Sequence, residues 1–275
     1  MTATSTMDLE WVGTAGVDDR TLRAYVDATT DCSTTRPAHP ASASLAPVLL
    51  VREPLRAAVE HLVGTGRGGP TTVLHVSQDI ELDRPLRPDV SHQVRCRIAA
   101  CVPSSLGALV YIGGTVDDDA GRVCAMTVGL FLPGYDGTRL GRRPPAARID
   151  TSSDRRVGWT ETVRTTSDQA ARYALASGDV NPIHLIPTAA RMAGFDRPVL
   201  HGMCALALVV SAIGAPNGAS VRRVATRFGA PVHPGDDLVV DCRSRPGASA
   251  VAWSARTTRG VAMKSGVIVF ERGGD

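Results

Sequence analysis

Aromatic side chains are scarce in this chain. Four Phe, four Tyr and three Trp make up 4% of its 275 residues. So few rings argue against a stacking platform for single-stranded nucleic acid. Neither sign of charge dominates: 30 Lys and Arg against 27 Asp and Glu leave +3. That is too small an excess to point to nucleic acid or an anionic membrane as partner. No apolar run is long enough to cross a bilayer. The longest, from Met203 to Ile213, falls far short of the roughly 18–20 residues a span needs. The N-terminus from Met1 to Glu10 has neither a basic stretch nor an apolar run, which argues against a secretory signal. Six cysteines (Cys32, Cys96, Cys101, Cys124, Cys204, Cys242) form no C-x-x-C pair and no Cys/His ligand spacing. They read as small core residues of a reducing compartment, with no metal centre. The expectation is a cytoplasmic protein.

What is present is ordinary globular texture, 43% apolar and 21% charged. The length suits one large domain or two average ones. Residues 133–156 break the texture. Pro133-Gly134-Tyr135-Asp136-Gly137 and Arg139-Leu140-Gly141-Arg142-Arg143-Pro144-Pro145 are rich in Gly, Pro and Arg and lack an apolar period. This stretch reads as a linker between an N-terminal domain at 1–132 and a C-terminal domain at 157–275. Faint repetition supports two related halves. Tyr25 precedes Asp31 as Tyr173 precedes Asp179, at an offset of 148. Pro47-Val48-Leu49 echoes Pro198-Val199-Leu200, and Pro85-Leu86-Arg87-Pro88 echoes Pro231-Val232-His233-Pro234. Three landmarks in one order point to a duplicated unit.

Each half runs from helical to strand-like patterns. In the second, Thr166 or Ser167 can cap a helix through Ala176, with Gly178 as a left-handed terminator. Pro187 opens a short helix closed by Gly194. A helix apolar nearly all round, hence buried, runs from Gly202 to Ile213 with Gly214 beyond it. Strands are expected at Val221–Phe228, Leu238–Cys242, Val251–Thr257 and Val261–Phe270. The first half should carry strands near Thr72–Gln78, Gln93–Val102, Leu109–Val116 and Val123–Leu132. Helices followed by hairpin strands argue for an α+β fold, an antiparallel sheet with helices on one face.

The chemistry-bearing stretch is Ser177-Gly178-Asp179-Val180-Asn181-Pro182-Ile183-His184. Five residues apart on a continuous helix, Asp179 and His184 would point about 140° away from each other. Gly178 and Pro182 can turn the chain so that they converge. A carboxylate and an imidazole brought together make a proton-transfer pair near neutral pH. The same residues also fit an ordinary helix-ending turn, with Asp179 and Asn181 bonding nearby backbone. Further on, His201-Gly202-Met203 opens the buried helix without an acidic cap. Its free N–H groups and a side-chain-free Gly202 suit a developing oxyanion, and Gly202 equally suits a close packing contact.

Together, Ser177 to His184 and Ala193-Gly-Phe-Asp-Arg-Pro-Val-Leu-His-Gly-Met203 resemble the hydratase-2 motif of the MaoC-like (R)-specific enoyl-thioester hydratases and dehydratases. The likeness is strong from about Arg164 to Asp237. It implies a double hot-dog fold, two units of antiparallel sheet and long helix forming one continuous sheet. The implied chemistry is reversible addition of water across the C2–C3 double bond of an acyl thioester carried on CoA or an acyl carrier protein. No further cofactor is implied, and a homodimer is compatible. The family's catalytic residues fall on Asp179 and His184, and its carbonyl-polarising glycine on Gly202. Asn181 matches the asparagine that shapes the catalytic loop, and Ser177 the small residue before Gly-Asp.

This chain departs from the pattern in two places. Leu185-Ile186-Pro187 follows the motif histidine where many relatives carry an acidic residue. In the first half, Ser33, Thr34 and Arg36 align with Asn181, Pro182 and His184, and Val51 aligns with Gly202, so only Asp31 is kept. One active site, in the C-terminal half, is expected, and His39 reads as a surface residue. A hot-dog thioesterase and a non-catalytic acyl-thioester-binding subunit are the alternatives.

Overall fold

The computed structural model describes residues 9–30, 40–65, 73–145, 147, 157–216, 219–245 and 247–271. They form five α-helices and ten strands. In chain order these are β1 (Glu10–Ala15), α1 (Asp19–Ala28), α2 (Val48–Thr65), β2 (Leu74–Leu82), β3 (His92–Ser104), β4 (Gly107–Asp118) and β5 (Gly121–Pro133). Then come β6 (Val157–Arg164), α3 (Gln169–Ser177), α4 (Pro187–Met192), α5 (Gly202–Ile213), β7 (Ser220–Phe228), β8 (Asp237–Ser244), β9 (Ala250–Thr257) and β10 (Gly260–Glu271). Short 3-10 turns lie at Pro40–Leu45 and Pro182–His184.

Contacts divide the chain into two compact units. One takes Met1–Val17 with Pro47–Ala146, the other Asp18–Ala46 with Ala147–Asp275. Helix α1 therefore belongs with the second unit, although it lies early in the sequence.

In the first unit the strands pair in the order β1-β3-β4-β5-β2, all antiparallel, and α2 packs on β1, β3 and β4. In the second the order is β6-β8-β9-β10-β7, again antiparallel, and α5 packs on β6 and β8. Strand for strand the two topologies are the same. The duplication suggested by three weak landmarks is thus visible as a repeated plan, an antiparallel sheet against one long helix.

The interior strands alternate buried and exposed side chains, as half-covered strands do. In β3 the alternation runs from His92 to Ala100. The outermost strands β1 and β6 pair on one edge only, and β1 has no fully buried residue. So weak a pattern explains why neither strand stands out in the sequence. Helix α5 is apolar except for Ser211, and Cys204 to Val210 are all buried. Five cysteines (Cys96, Cys101, Cys124, Cys204, Cys242) are buried and unpaired, and Cys32 lies outside the described residues. Burial pushes the thiols of Cys96, Cys124 and Cys242 up to about 12, so they serve as inert core residues.

Two local expectations change. Neither Thr166 nor Ser167 is the cap of α3. Its N-cap is Asp168, which makes no capping bond. The backbone N–H of Thr166 instead donates to Gln169 Oε1 at 3.2 Å, and Gln169 Nε2 donates to the Ala28 carbonyl at 2.5 Å. The Gly/Pro/Arg-rich stretch after β5 is tied down in part: Leu140 and Cys101 exchange two backbone bonds of 2.9 and 3.0 Å. Residues 146 and 148–156 lie outside the described residues.

A tight contact in the second sheet offers a test of its packing. Gly266 faces Trp253 across β10 and β9, and a Cβ there would lie 2.2 Å from the buried indole. Gly266→Ala should expel the ring and destabilise the protein by about 1–3 kcal/mol. Urea unfolding followed by tryptophan fluorescence measures this, and an unchanged midpoint would contradict the packing.

Candidate active site

Helix α3 buries Gln169, Ala170, Tyr173, Ala174 and Ala176. It ends where Gly178 takes φ 70° and ψ 9° and returns its N–H to the Ala174 carbonyl at 2.8 Å. This left-handed cap favours glycine, because a Cβ there costs about 1–2 kcal/mol.

Beyond it the loop is held by three successive side-chain bonds, each to the N–H two residues on. Ser177 Oγ accepts from Asp179 N at 3.1 Å, Asp179 Oδ1 from Asn181 N at 3.2 Å, and Asn181 Oδ1 from Ile183 N at 3.3 Å. Pro182 then starts a 3-10 turn that ends on His184. These bonds put Ser177 and Asn181 to work on the loop itself.

The turn delivers His184 against the segment leading into α5. Val199 N donates to the Ile183 carbonyl at 3.2 Å, and His184 Nδ1 lies 2.8 Å from the Val199 carbonyl. A carbonyl only accepts, so Nδ1 carries the hydrogen and Nε2 keeps a bare lone pair. The receiving segment is itself anchored: Leu200 N donates to the Val232 carbonyl at 2.7 Å, and His233 Nδ1 donates to Pro198 O at 2.8 Å. Burial holds the His184 imidazole below its ordinary pKa, against the Val199 bond and the Asp179 charge, which act the other way. Neutral His184 is therefore the resting form near pH 7.

A third side chain joins the two expected ones. His201, 2% exposed, donates from Nε2 to the backbone carbonyl of Asp179 at 2.9 Å. Its ring stacks on that of His184, with centroids 3.7 Å apart and planes 27° apart. Tyr173 lies against it at 4.8 Å and Tyr25 against Tyr173 at 5.9 Å. A carboxylate oxygen of Asp179 and a nitrogen from each imidazole all lie within 4.8 Å of one another. Burial, then repulsion from His184, depresses His201 to about 4. Sequence reasoning gave His201 a place in a motif but no role. Its position between apolar Leu200 and a buried helix was the available signal.

Gly202 is the first residue of α5. His201 is its N-cap, and no side-chain bond closes that end. The first-turn amides and the helix dipole favour negative charge there. The space a side chain would take at Gly202 is filled: a Cβ would lie 3.3 Å from the Phe228 ring. Glycine at this position therefore lets Phe228 close on the start of the helix, a packing role that does not itself clear room for a ligand.

In the first half Val51 is a buried residue of α2. Asp31, Ser33, Thr34, Arg36 and His39 lie outside the described residues.

With this geometry in hand, the comparisons with known proteins are specific. A family model described as a MaoC like domain matches residues 148–248. The 3-hydroxyacyl-thioester dehydratase Y of Mycobacterium tuberculosis is 34% identical over 196 residues, 66% of this chain and 66% of that protein. The peroxisomal enoyl-CoA hydratase 2 of Arabidopsis thaliana is 30% identical over 188 residues, 62% of this chain and 60% of its own length. The matches thus span somewhat less than two thirds of each of these two relatives. A solved MaoC-like dehydratase from Phytophthora capsici superposes with a TM-score of 0.78 over 97% of both chains at 22% identity. The duplicated sheet-and-helix plan is accordingly a double hot-dog fold. Fold, motif and family model agree, and residues 148–248 of the chain match the MaoC-like domain family.

Proposed function

We propose that this protein is a hydro-lyase that adds water across the C2–C3 double bond of 2-enoyl thioesters, and in reverse removes it from (R)-3-hydroxyacyl thioesters. The observation that carries the reading is a half-buried His184 with a bare Nε2, one ring nitrogen of which lies within 4.8 Å of an Asp179 carboxylate oxygen, beside the open N-terminus of α5. The names of the relatives support the same reaction class.

Water added at C3 must lose a proton, C2 must gain one, and the thioester oxygen must carry negative charge in between. His184 Nε2 is the group placed to take the proton from water. Asp179 on the opposite branch of the loop completes the pair, which returns a proton to C2 and ends as it began. The N–H of Gly202 is the donor for the developing oxyanion, a contribution on the order of 3–4 kcal/mol in sites of this kind. Asp179, His184 and Gly202 are thus the proposed catalytic set. Ser177 and Asn181 act by shaping the loop.

The substrate brings its own phosphopantetheine arm, on CoA or on an acyl carrier protein, and proton transfer by this pair calls for no redox group or metal. Among the described residues no helix is long and apolar enough to cross a membrane. The cytoplasm is the proposed location.

The test follows loss of enoyl absorbance with crotonyl-CoA and longer 2-enoyl-CoAs, beside an assay for free thiol. Turnover without thiol release is expected, and thiol release would point to a thioesterase. Asp179→Asn and His184→Ala should each lower kcat by about 10²–10⁴-fold with the circular dichroism spectrum unchanged. Near-normal turnover by either variant removes that residue from the mechanism. The acid limb of kcat/KM should also be informative. His184 is the base and its pKa is lowered, so the rate should hold as pH falls through 6.5 and drop only at more acid pH. A limb at or above 6.5 would exclude His184 as the base.

A further inference from the structure

His201 is built into the site in a way that packing alone does not explain. Its ring is 2% exposed, and Nδ1 is buried with no hydrogen-bond partner. Leaving such a group unsatisfied costs about 1–3 kcal/mol, a cost that phenylalanine would avoid in a purely apolar slot. What histidine adds is the Nε2–H bond to the Asp179 carbonyl. That bond joins the catalytic loop to the residue immediately before Gly202. The same ring stacks on His184, and Tyr173 backs it. One side chain therefore touches the backbone of Asp179, the ring of His184 and, through the chain, the proposed oxyanion amide.

We propose that His201 is a positioning residue that sets the spacing between the proton-transfer pair and the Gly202 amide. The proposal rests on the hydration reading above. A displacement of about 1 Å between such groups is enough to lower a rate about 10²-fold. His201 acts through its neighbours and transfers no proton itself.

Three variants separate the parts of this role. His201→Phe keeps a ring against His184 but cannot donate, His201→Gln keeps a donor near the Nε2 position, and His201→Ala has neither. With crotonyl-CoA, the Phe variant should lose about 10²-fold in kcat with KM nearly unchanged. The Gln variant should recover to within about tenfold of wild type, and the Ala variant should be at least as slow as the Phe variant. Residues that act as a unit are non-additive, so adding His201→Phe to His184→Ala should change kcat by less than about threefold. A Phe variant as fast as wild type, or a full additive loss on the His184→Ala background, overturns the proposal.

Nitrogen-15 spectra of the wild-type imidazoles give a readout that does not depend on turnover. His201 should be the neutral Nε2–H tautomer and His184 the neutral Nδ1–H tautomer. A bare Nε2 on His201 refutes the clamp. If the wild type turns over no enoyl thioester, the hydration reading fails and the clamp is judged by this spectrum. If the Phe variant does not fold, the spectrum and the Gln variant decide, and a Gln variant as slow as His184→Ala overturns the proposal.

Discussion

Gly178 holds the chain in a left-handed conformation at the end of α3, and the residues beyond it depend on that single reversal. The N–H returned to Ala174 closes the helix. The next side chains then each reach the amide two positions on, from Ser177 through Asp179 to Asn181. A helix continued through this stretch would separate Asp179 and His184 by about 140° around its axis. A freely flexible loop would bring them together only part of the time, with ordering entropy of about 1–2 kcal/mol per residue still to be met on binding. The cap and the ladder of short bonds remove both difficulties before a substrate arrives.

The electrostatics follow from the same arrangement. Burial disfavours protonation of both stacked imidazoles, and repulsion from His184 adds to this at His201. Both rings are thereby kept neutral, each with a tautomer chosen by the carbonyl it faces. A neutral ring that donates to a carbonyl from one side presents a lone pair from the other, as a general base requires. The two backbone oxygens fix tautomer and geometry, while burial lowers the proton affinity against them.

Much of this could be read from the residues. The bounds of α5 at Gly202 and Ile213 follow from a nearly all-apolar run between two glycines, and the inner strands of both sheets follow from alternation. The turn at Gly178 and the pairing of Asp179 with His184 follow from local chemistry within eight residues. The outer strands β1 and β6 did not stand out, because one-sided pairing leaves little apolar pattern. His201 was missed for a different reason. Its partner carbonyl lies 22 residues away, and no local period reports a contact made by tertiary folding. The same limit hid the identity of Phe228 behind Gly202, although a close packing contact was one of the two readings that the glycine offered.

The placement of α1 bears on how separable the duplicated halves are. Its last carbonyl, at Ala28, accepts from the Gln169 amide at the start of α3, and the Cys204 thiol approaches it at 3.8 Å. Tyr25, wholly buried, is part of the ring series behind His201. A fragment cut at the midpoint would strand a buried amide and expose the face on which α3 rests. Although the repeat looks modular when its strands are counted, its second copy is no longer a transferable cassette, because it borrows a helix encoded before the repeat boundary.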